Sequence, residues 1–237
     1  MKPAILTIEQ RLQTVREQIS SAEQRFERLA GSVQLLAVSK TRPADDILDA
    51  FHTGQTAFGE NYLQEALGKI QQLAEHNIEW HFIGPIQSNK TRDIAQHFAW
   101  VHSVDRLKIA QRLSEQRPAD LPPLSICLQV NIDNEASKSG VAPAEVLNLA
   151  RDIQQLPGLH LRGLMAIPTA STDFETQRDA FARLRKLYKQ IQQAGIELDT
   201  LSMGMTNDLE AAIAEGSTMV RIGTAIFGAR QSKQTTL

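Results

Sequence analysis

Eight short apolar segments alternate with amphipathic segments along almost the whole chain. Several are continuous runs of Val, Ile and Leu, as is typical of parallel strands covered on both faces. Strands are predicted at 34–40, 57–60, 80–84, 100–103, 124–131, 161–167, 200–204 and 219–227. Helices are predicted between them at about 44–53, 62–75, 89–98, 105–116, 144–155, 174–194 and 207–215. Eight such units in 237 residues predict a single α/β (β/α)₈ TIM-like barrel. A doubly wound open sheet is the alternative, disfavoured because no glycine-rich dinucleotide motif follows the first strand.

An extra amphipathic helix is predicted within residues 1–30. Its apolar residues recur at steps of three and four: Ile8, Leu12, Val15, Ile19, Ala22, Phe26 and Leu29. The pattern fits a coiled-coil or partner-binding helix, or a helix packed on the barrel, and we favour the packed helix. Residues 1–230 are then one domain, and residues 231–237 a short polar tail.

Several helix boundaries carry recognisable signals. Gly195 suits the end of the long helix before it. Capping boxes are predicted for the pairs Asn61 and Gln64, Thr172 and Glu175, and Asn207 and Glu210.

Composition narrows the classes of function. The net charge is −2 and no basic stripe occurs, which argues against nucleic acid as a partner. The six histidines show no paired ligand spacing, so no metal site is expected. Cys127 lies in an apolar run and is interpreted as a small core residue. Neither a secretory signal nor an apolar run of membrane-spanning length occurs, so a cytoplasmic protein that binds no membrane is expected.

Lys40 closes the first apolar run and precedes a helix start at Pro43. A lysine at the C-terminal mouth of a buried strand can lie in a low-dielectric pocket, lose its proton near neutral pH and act as a nucleophile. By position alone, a lysine in a surface loop is the alternative.

A phosphate site is predicted at the last two strands. Barrels often bind phosphate with the loops after strands seven and eight and a nearby helix N-terminus. Ser202, Gly204, Gly223 and Thr224 lie there, and Asn207 marks a helix start close by. Glycines let backbone N–H groups approach an anion, and hydroxyls add donors.

A reactive lysine on strand one would face this phosphate cradle once the barrel closes. The combination suits pyridoxal 5′-phosphate (PLP), because the lysine holds the aldehyde as an imine and the cradle holds the phosphate. An alternative hypothesis involves no cofactor. In it, Lys40 forms a Schiff base with a phosphorylated sugar, as in barrel aldolases.

The chain resembles the YggS/PROSC family of PLP homeostasis proteins, whose members look like the barrel domain of alanine racemase. The resemblance runs from about Leu36 to Arg230. It rests on Ala-Val-Ser-Lys-Thr at 37–41, Phe-Gly-Glu-Asn at 58–61, Trp-His-Phe-Ile-Gly at 80–84 with Gln87 and Asn89-Lys90, Gly-Leu-Met at 163–165, Ser-Met-Gly-Met at 202–205 and Arg-Ile-Gly-Thr-Ala-Ile-Phe-Gly at 221–228. Two departures are conservative: Ile86 stands where the family commonly has leucine, and Thr206 where it commonly has serine.

The resemblance implies a role for each site residue. Lys40 would form the Schiff base. Ser202, Gly223 and Thr224 would hold the phosphate, Arg221 would face the pyridine nitrogen, and Asn61 and Met165 would line the ring. Pairing of Arg221 with a carboxylate elsewhere is the alternative. The implied function is vitamin B6 homeostasis, with apo PLP-dependent enzymes as recipients of the cofactor.

The same residues favour a carrier over an enzyme. Arginine offers only donors and keeps the pyridine nitrogen unprotonated, which weakens the ring as an electron sink. A racemase also needs an acid/base group opposite the lysine. Neither Tyr62 nor Tyr188 is an obvious candidate, and His81 is interpreted as a satisfied core residue. No second racemase domain is expected, which favours a monomer. A weak PLP-dependent racemase or lyase is the alternative.

Overall fold

The eight apolar segments form eight parallel strands that close into a barrel. The computed structural model describes residues 6–135 and 138–229. The strands are β1 Gln34–Val38, β2 Ala57–Glu60, β3 Glu79–Phe82, β4 Trp100–Val104, β5 Leu124–Gln129, β6 Leu159–Met165, β7 Thr200–Ser202 and β8 Met219–Ile222. Each strand pairs with the next in the chain, and β8 pairs with β1. This closure confirms the predicted barrel and excludes the open sheet.

Helices cover the outside of the barrel. They are α1 Ile8–Arg25, α2 Ala44–His52, α3 Leu63–Gln72, α4 Thr91–His97, α5 Leu107–Gln116, α6 Val146–Gln154, α7 Phe174–Gln193, α8 Leu209–Ala214 and α9 Thr224–Phe227. The prediction that the last strand runs to residue 227 is wrong, since β8 ends at Ile222 and α9 follows. The apolar residues Ile226 and Phe227 reach the core from one helical turn rather than from a strand.

The N-terminal helix packs on the barrel, as predicted. Leu12, Val15, Ile19 and Ala22 are buried on one face of α1. The prediction that Leu29 belongs to this face is wrong, because the helix has ended at Arg25 and Leu29 is 80% exposed.

The helix ends agree less well with the sequence signals. The three predicted capping boxes do not form, because α3, α7 and α8 start one residue later, with Tyr62, Asp173 and Asp208 at the N-cap. The prediction for Gly195 is confirmed by its φ of 85°, which ends α7.

Side chains fill the interior of the barrel. Trp100, Cys127 and Met165 form a small apolar cluster inside it, separate from the main core between strands and helices. Cys127 is fully buried, as predicted, and burial raises the pKa of its thiol to about 12. The interior is thus a packed layer and not a channel.

Several sequence predictions concern residues or properties beyond this description. The polar tail at 231–237, residues 1–5 and the domain boundary at 230 lie outside the described residues. Within the described ranges, no helix has the length and apolarity needed to cross a bilayer. The same ranges contain no cluster of three His, Cys, Asp or Glu side chains able to hold a metal ion.

Candidate functional site

The eight predicted cofactor-binding residues gather at one mouth of the barrel. Each lies near or just after the C-terminal end of its strand: Lys40 after β1, Asn61 after β2, Met165 at the end of β6, Ser202 and Gly204 at and after β7, and Arg221, Gly223 and Thr224 in and after β8. Parallel strands place these ends together. Since β8 pairs with β1, the turn after β8 adjoins the loop that carries Lys40.

These residues divide into a rim and a floor. Thr224 is exposed, and Lys40, Asn61 and Gly223 are half-buried. Met165, Ser202, Gly204 and Arg221 are buried. Met165 packs against Trp100 and Cys127 in the interior cluster, so the structure places it in the floor rather than at the rim.

The loops after β7 and β8 lie very close to other segments of the same protein. Gly204 has a φ of 98°, and a Cβ there would lie 2.6 Å from the Cβ of Ala212. A Cβ on Gly223 would lie 3.0 Å from the carbonyl oxygen of Val38. Only glycine fits at Gly204, because both the backbone conformation and the contact exclude a side chain.

The hydroxyl groups of these loops are arranged differently from the prediction. Ser202 is fully buried, and its hydroxyl contacts His102 Nδ1 at 2.8 Å and Arg221 Nη1 at 2.9 Å. It therefore points into the barrel and away from the rim. Thr206 and Thr224 are exposed on the loops after β7 and β8, so they present hydroxyl groups at the mouth. In the sequence, Thr206 is notable only as a conservative departure from the family pattern, which assigns it no role in the site.

The backbone on both sides of Lys40 is fixed by helix α3. The Lys69 ammonium donates to the carbonyl oxygen of Ser39 at 2.9 Å, just before Lys40. The amide of Thr41, just after it, donates to Glu65 at 2.6 Å. Thr41 has a φ of 64°, an uncommon value for a residue with a branched side chain. These contacts fix the backbone of the tight turn that carries Lys40.

A buried ion pair supports the same turn. Lys69 lies 2.8 Å from Glu60, whose carboxylate also accepts the hydroxyl of Ser39 at 2.6 Å. Burial raises the pKa of Glu60, and the positive charge of Lys69 opposes the rise. The second carboxylate oxygen of Glu60 is buried without a hydrogen-bond partner among the described residues. The charge of Glu60 consequently depends on Lys69.

Arg221 forms the floor of the mouth. Its guanidinium donates to the carbonyl and hydroxyl oxygens of Ser202 and, at 3.0 Å, to the carbonyl oxygen of Ala166. No carboxylate forms an ion pair with it among the described residues, contrary to the alternative considered from sequence. Burial lowers the pKa of Arg221 to about 10. The group is therefore still a cation, with donors only, at neutral pH.

The other groups considered as acids or bases differ in position. Tyr62 is exposed beside Asn61 at the rim, whereas Tyr188 lies on α7 and its hydroxyl donates to the carbonyl oxygen of Leu198 at 2.6 Å. Burial raises the pKa of Tyr188 to about 12. His81 is fully buried and hydrogen-bonded, which confirms its interpretation as a satisfied core residue.

Comparison with known proteins is consistent with this geometry. The model of the alanine racemase N-terminal domain matches residues 11–231. A pyridoxal phosphate homeostasis protein of Pseudomonas aeruginosa is 61% identical over 94% of this chain and 96% of its own length. That of Escherichia coli is 52% identical over 92% of this chain and 95% of its own.

The chain belongs to the pyridoxal phosphate homeostasis protein family. Its fold also matches PipY of Synechococcus elongatus, solved with PLP bound, with a TM-score of 0.82, 36% identity and coverage of 94% of this chain and all of that one. Alanine racemase from Corynebacterium glutamicum shares the fold alone, at 17% identity and a TM-score of 0.67, and this chain covers 62% of it.

Proposed function

We propose that the protein binds pyridoxal 5′-phosphate as a Schiff base on Lys40 and takes part in intracellular vitamin B6 homeostasis, with little or no catalysis. The observation that carries the proposal is the position of Lys40 beside the Gly223–Thr224 turn, on neighbouring strands at one mouth. Lysine amines form imines with aldehydes, and glycine turns with hydroxyl groups bind phosphate.

The chemistry of the described residues fits this cofactor. Gly204 and Gly223 bring bare backbone to the mouth, where a Cβ would collide at Gly204 and be tightly confined at Gly223, and Thr206 and Thr224 add exposed hydroxyl donors beside them. Arg221 provides a cation on the floor, where it can donate to the pyridine nitrogen. Asn61 lies at the rim on the side of β2. In this proposal Thr206 takes the phosphate role first assigned to Ser202.

A carrier role is supported by the donor-only character of Arg221. When bound, PLP supplies an aldehyde carbon for the lysine and a ring that withdraws electrons from it. A guanidinium cannot accept a hydrogen bond from a protonated ring nitrogen and can only donate one to it, so the nitrogen stays unprotonated and the ring stays a weak electron sink. We infer a role in storing the cofactor and passing it to apo PLP-dependent enzymes. The monomeric state and the cytoplasmic location remain predictions from the sequence.

The test is a visible absorption spectrum of the purified protein supplied with PLP, followed by borohydride reduction and mass mapping. A yellow protein with the reduced adduct on Lys40 supports the proposal. Lys40→Ala should abolish the adduct, and Lys90→Ala serves as a matched control because Lys90 follows β3 at the same mouth.

Two outcomes would contradict the proposal. A colourless protein that takes up no PLP would leave the sugar Schiff-base hypothesis. Steady turnover of an amino acid that disappears in Lys40→Ala would favour a weak racemase or lyase over a carrier.

A further inference from the structure

A continuous chain of hydrogen bonds crosses the interior of the barrel from Arg221 to Glu79. Arg221 Nη1 lies 2.9 Å from Ser202 Oγ, which lies 2.8 Å from His102 Nδ1. His102 Nε2 lies 2.9 Å from His81 Nδ1, and His81 Nε2 lies 2.9 Å from the carboxylate of Glu79. The chain thus joins the floor of the proposed cofactor site to the N-terminal end of β3, at the opposite mouth.

The groups at the two ends fix which atom donates and which accepts in every hydrogen bond between them. A carboxylate only accepts, so His81 must carry its proton on Nε2. The other nitrogen of a neutral His81 then accepts, which places the proton of His102 on Nε2 as well. His102 Nδ1 in turn accepts the hydroxyl of Ser202, whose oxygen accepts from Arg221, a group with donors only.

The surroundings keep both rings neutral. His81 and His102 are fully buried, and the ring of His81 lies parallel to Trp100 with centroids 5.3 Å apart. Burial lowers the pKa of both histidines, against the pull of Glu79 on His81. The charged or titratable groups that face them or the ends of the chain are Glu79 on β3, Cys127 on β5, Arg162 on β6, Arg221 on β8 and Asp208 before α8.

Glu79 remains in contact with solvent. Its side chain is 49% exposed and borders a cavity of about 530 Å³ between α1 and the N-terminal ends of β1 and β2. The hydrogen bond from His81 lowers the pKa of Glu79, so it is ionised at neutral pH. A fixed negative charge therefore ends the chain at the far side of the barrel.

We propose that Glu79, acting through His81, His102 and Ser202, is a remote positioning residue for Arg221. Hydrogen bonds with an ionised partner are stronger than neutral ones, and hydrogen bonds in a chain polarise one another. The charge of Glu79 strengthens each link in turn and holds the Arg221 guanidinium against Ser202. The relevance of the hydrogen-bond chain to a cofactor rests on the proposed function, but the hydrogen bonds themselves are present in the structure.

The first test uses protein without cofactor. Imidazole ¹H–¹⁵N correlation spectra should show both histidines as neutral Nε2–H tautomers from pH 6 to pH 8. A proton on Nδ1 of His81 or His102, or an imidazolium at pH 7, would overturn the assigned direction.

The second test removes the charge and keeps the shape. In Glu79→Gln the ring N–H proton of His81 should move upfield, followed by a smaller shift at His102 and a shift of the Arg221 guanidinium resonances. Glu75→Gln is the matched control. Glu75 is an exposed carboxylate in the turn before β3, and it takes no part in the hydrogen-bond chain from Arg221 to Glu79. Unchanged Arg221 resonances in Glu79→Gln would overturn the proposal.

A third measurement tests whether the hydrogen-bond chain affects the bound cofactor. With PLP bound, the pH profile of the visible absorption should differ between wild type and Glu79→Gln, and Glu75→Gln should match wild type. Identical profiles in all three would overturn the role toward the cofactor. A protein that takes up no PLP while Glu79→Gln still shifts Arg221 would contradict the proposed function and leave the positioning of Arg221 established.

Discussion

Replacement of Lys69 by methionine is the sharpest test of how the Lys40 turn is held. The ammonium of Lys69 has three protons and three acceptors: the Ser39 carbonyl at 2.9 Å, Glu60 at 2.8 Å and Glu65 at 2.5 Å. Methionine keeps much of the side-chain volume but donates none of these bonds. Lys69→Met therefore leaves the fully buried carboxylate of Glu60 with only the hydroxyl of Ser39 as a donor.

The expected loss is large because the remaining charge is buried. Breaking a buried pair by removing one partner typically costs about 3–5 kcal/mol. We expect Lys69→Met to lower the free energy of unfolding, measured by urea denaturation at pH 7, by an amount in this range. Lys108→Met is the control, since Lys108 is exposed on α5 and surface substitutions usually change stability by less than about 0.5 kcal/mol.

The loss should depend on pH in a defined direction. Without Lys69, the raised pKa of Glu60 rises further, so the folded variant binds a proton that the unfolded chain releases above about pH 4.3. A raised folded pKa gives stability that is present at low pH and lost as the pH rises through that pKa. The deficit of Lys69→Met should therefore shrink between pH 7 and pH 5, by about 1.4 kcal/mol for each unit of further shift.

A second substitution isolates the charge. Adding Glu60→Gln to Lys69→Met removes the unpaired carboxylate and should recover much of the lost stability, so the two changes will not be additive. A loss below about 1 kcal/mol would refute the reasoning from a buried pair. The same conclusion would follow if the deficit were equal at pH 5 and pH 7, or if the two substitutions were additive.

Three further predictions concern the rim, its support and Asp133 in the segment after β5. Thr224→Val should weaken PLP binding by about 1–3 kcal/mol in an equilibrium titration if the hydroxyl contacts phosphate, and an unchanged dissociation constant would remove Thr224 from the site. Gly84→Ala places a Cβ 2.1 Å from the carbonyl oxygen of Asn61, so it should lower both stability and PLP retention. Gly68→Ala, in open space on α3, should instead stabilise by about 0.5–1 kcal/mol, and equal behaviour of the two variants would contradict this account. Burial opposes ionisation of Asp133. Hydrogen bonds from Thr169, Arg183 and Lys138 outweigh the effect of burial and lower the pKa of Asp133 to about 2. Its contribution to stability should be present above pH 4 and disappear towards pH 2, and Asp133→Asn should lack that part of the pH dependence in urea denaturation.

Much of the fold was predictable because parallel strands covered on both faces leave continuous apolar runs in the sequence. All eight strands overlap the predicted segments, although β2 and β7 are not continuous apolar runs. Helix ends were less predictable, because neighbouring polar residues compete for the same cap. Asp173 caps α7 by accepting the amide of Thr176 at 2.8 Å, and it displaces Thr172 from that role. Sequence order alone does not decide between two adjacent capping side chains.

The rim of the site could be predicted for the same topological reason. Lys40 and Thr224 follow strands, and closed parallel strands bring their ends together. The floor could not be predicted, because it depends on which residues face inward and at what level. His102 lies inside a mostly apolar strand and pairs with Ser202 on the far side of the barrel. No local pattern in the sequence reports a contact across that separation.

The closure of the barrel by β8 and β1 also has a consequence for the synthesis of this protein. Lys40 follows the first strand and Thr224 the last, so the lysine leaves the ribosome long before the turn that completes its site. On the proposed function, a chain that is unfinished, or truncated before β8, carries the Schiff-base lysine without the residues that hold the phosphate. On the proposed function, retained PLP marks molecules whose translation and folding are complete, and truncated chains should elute colourless from the same purification.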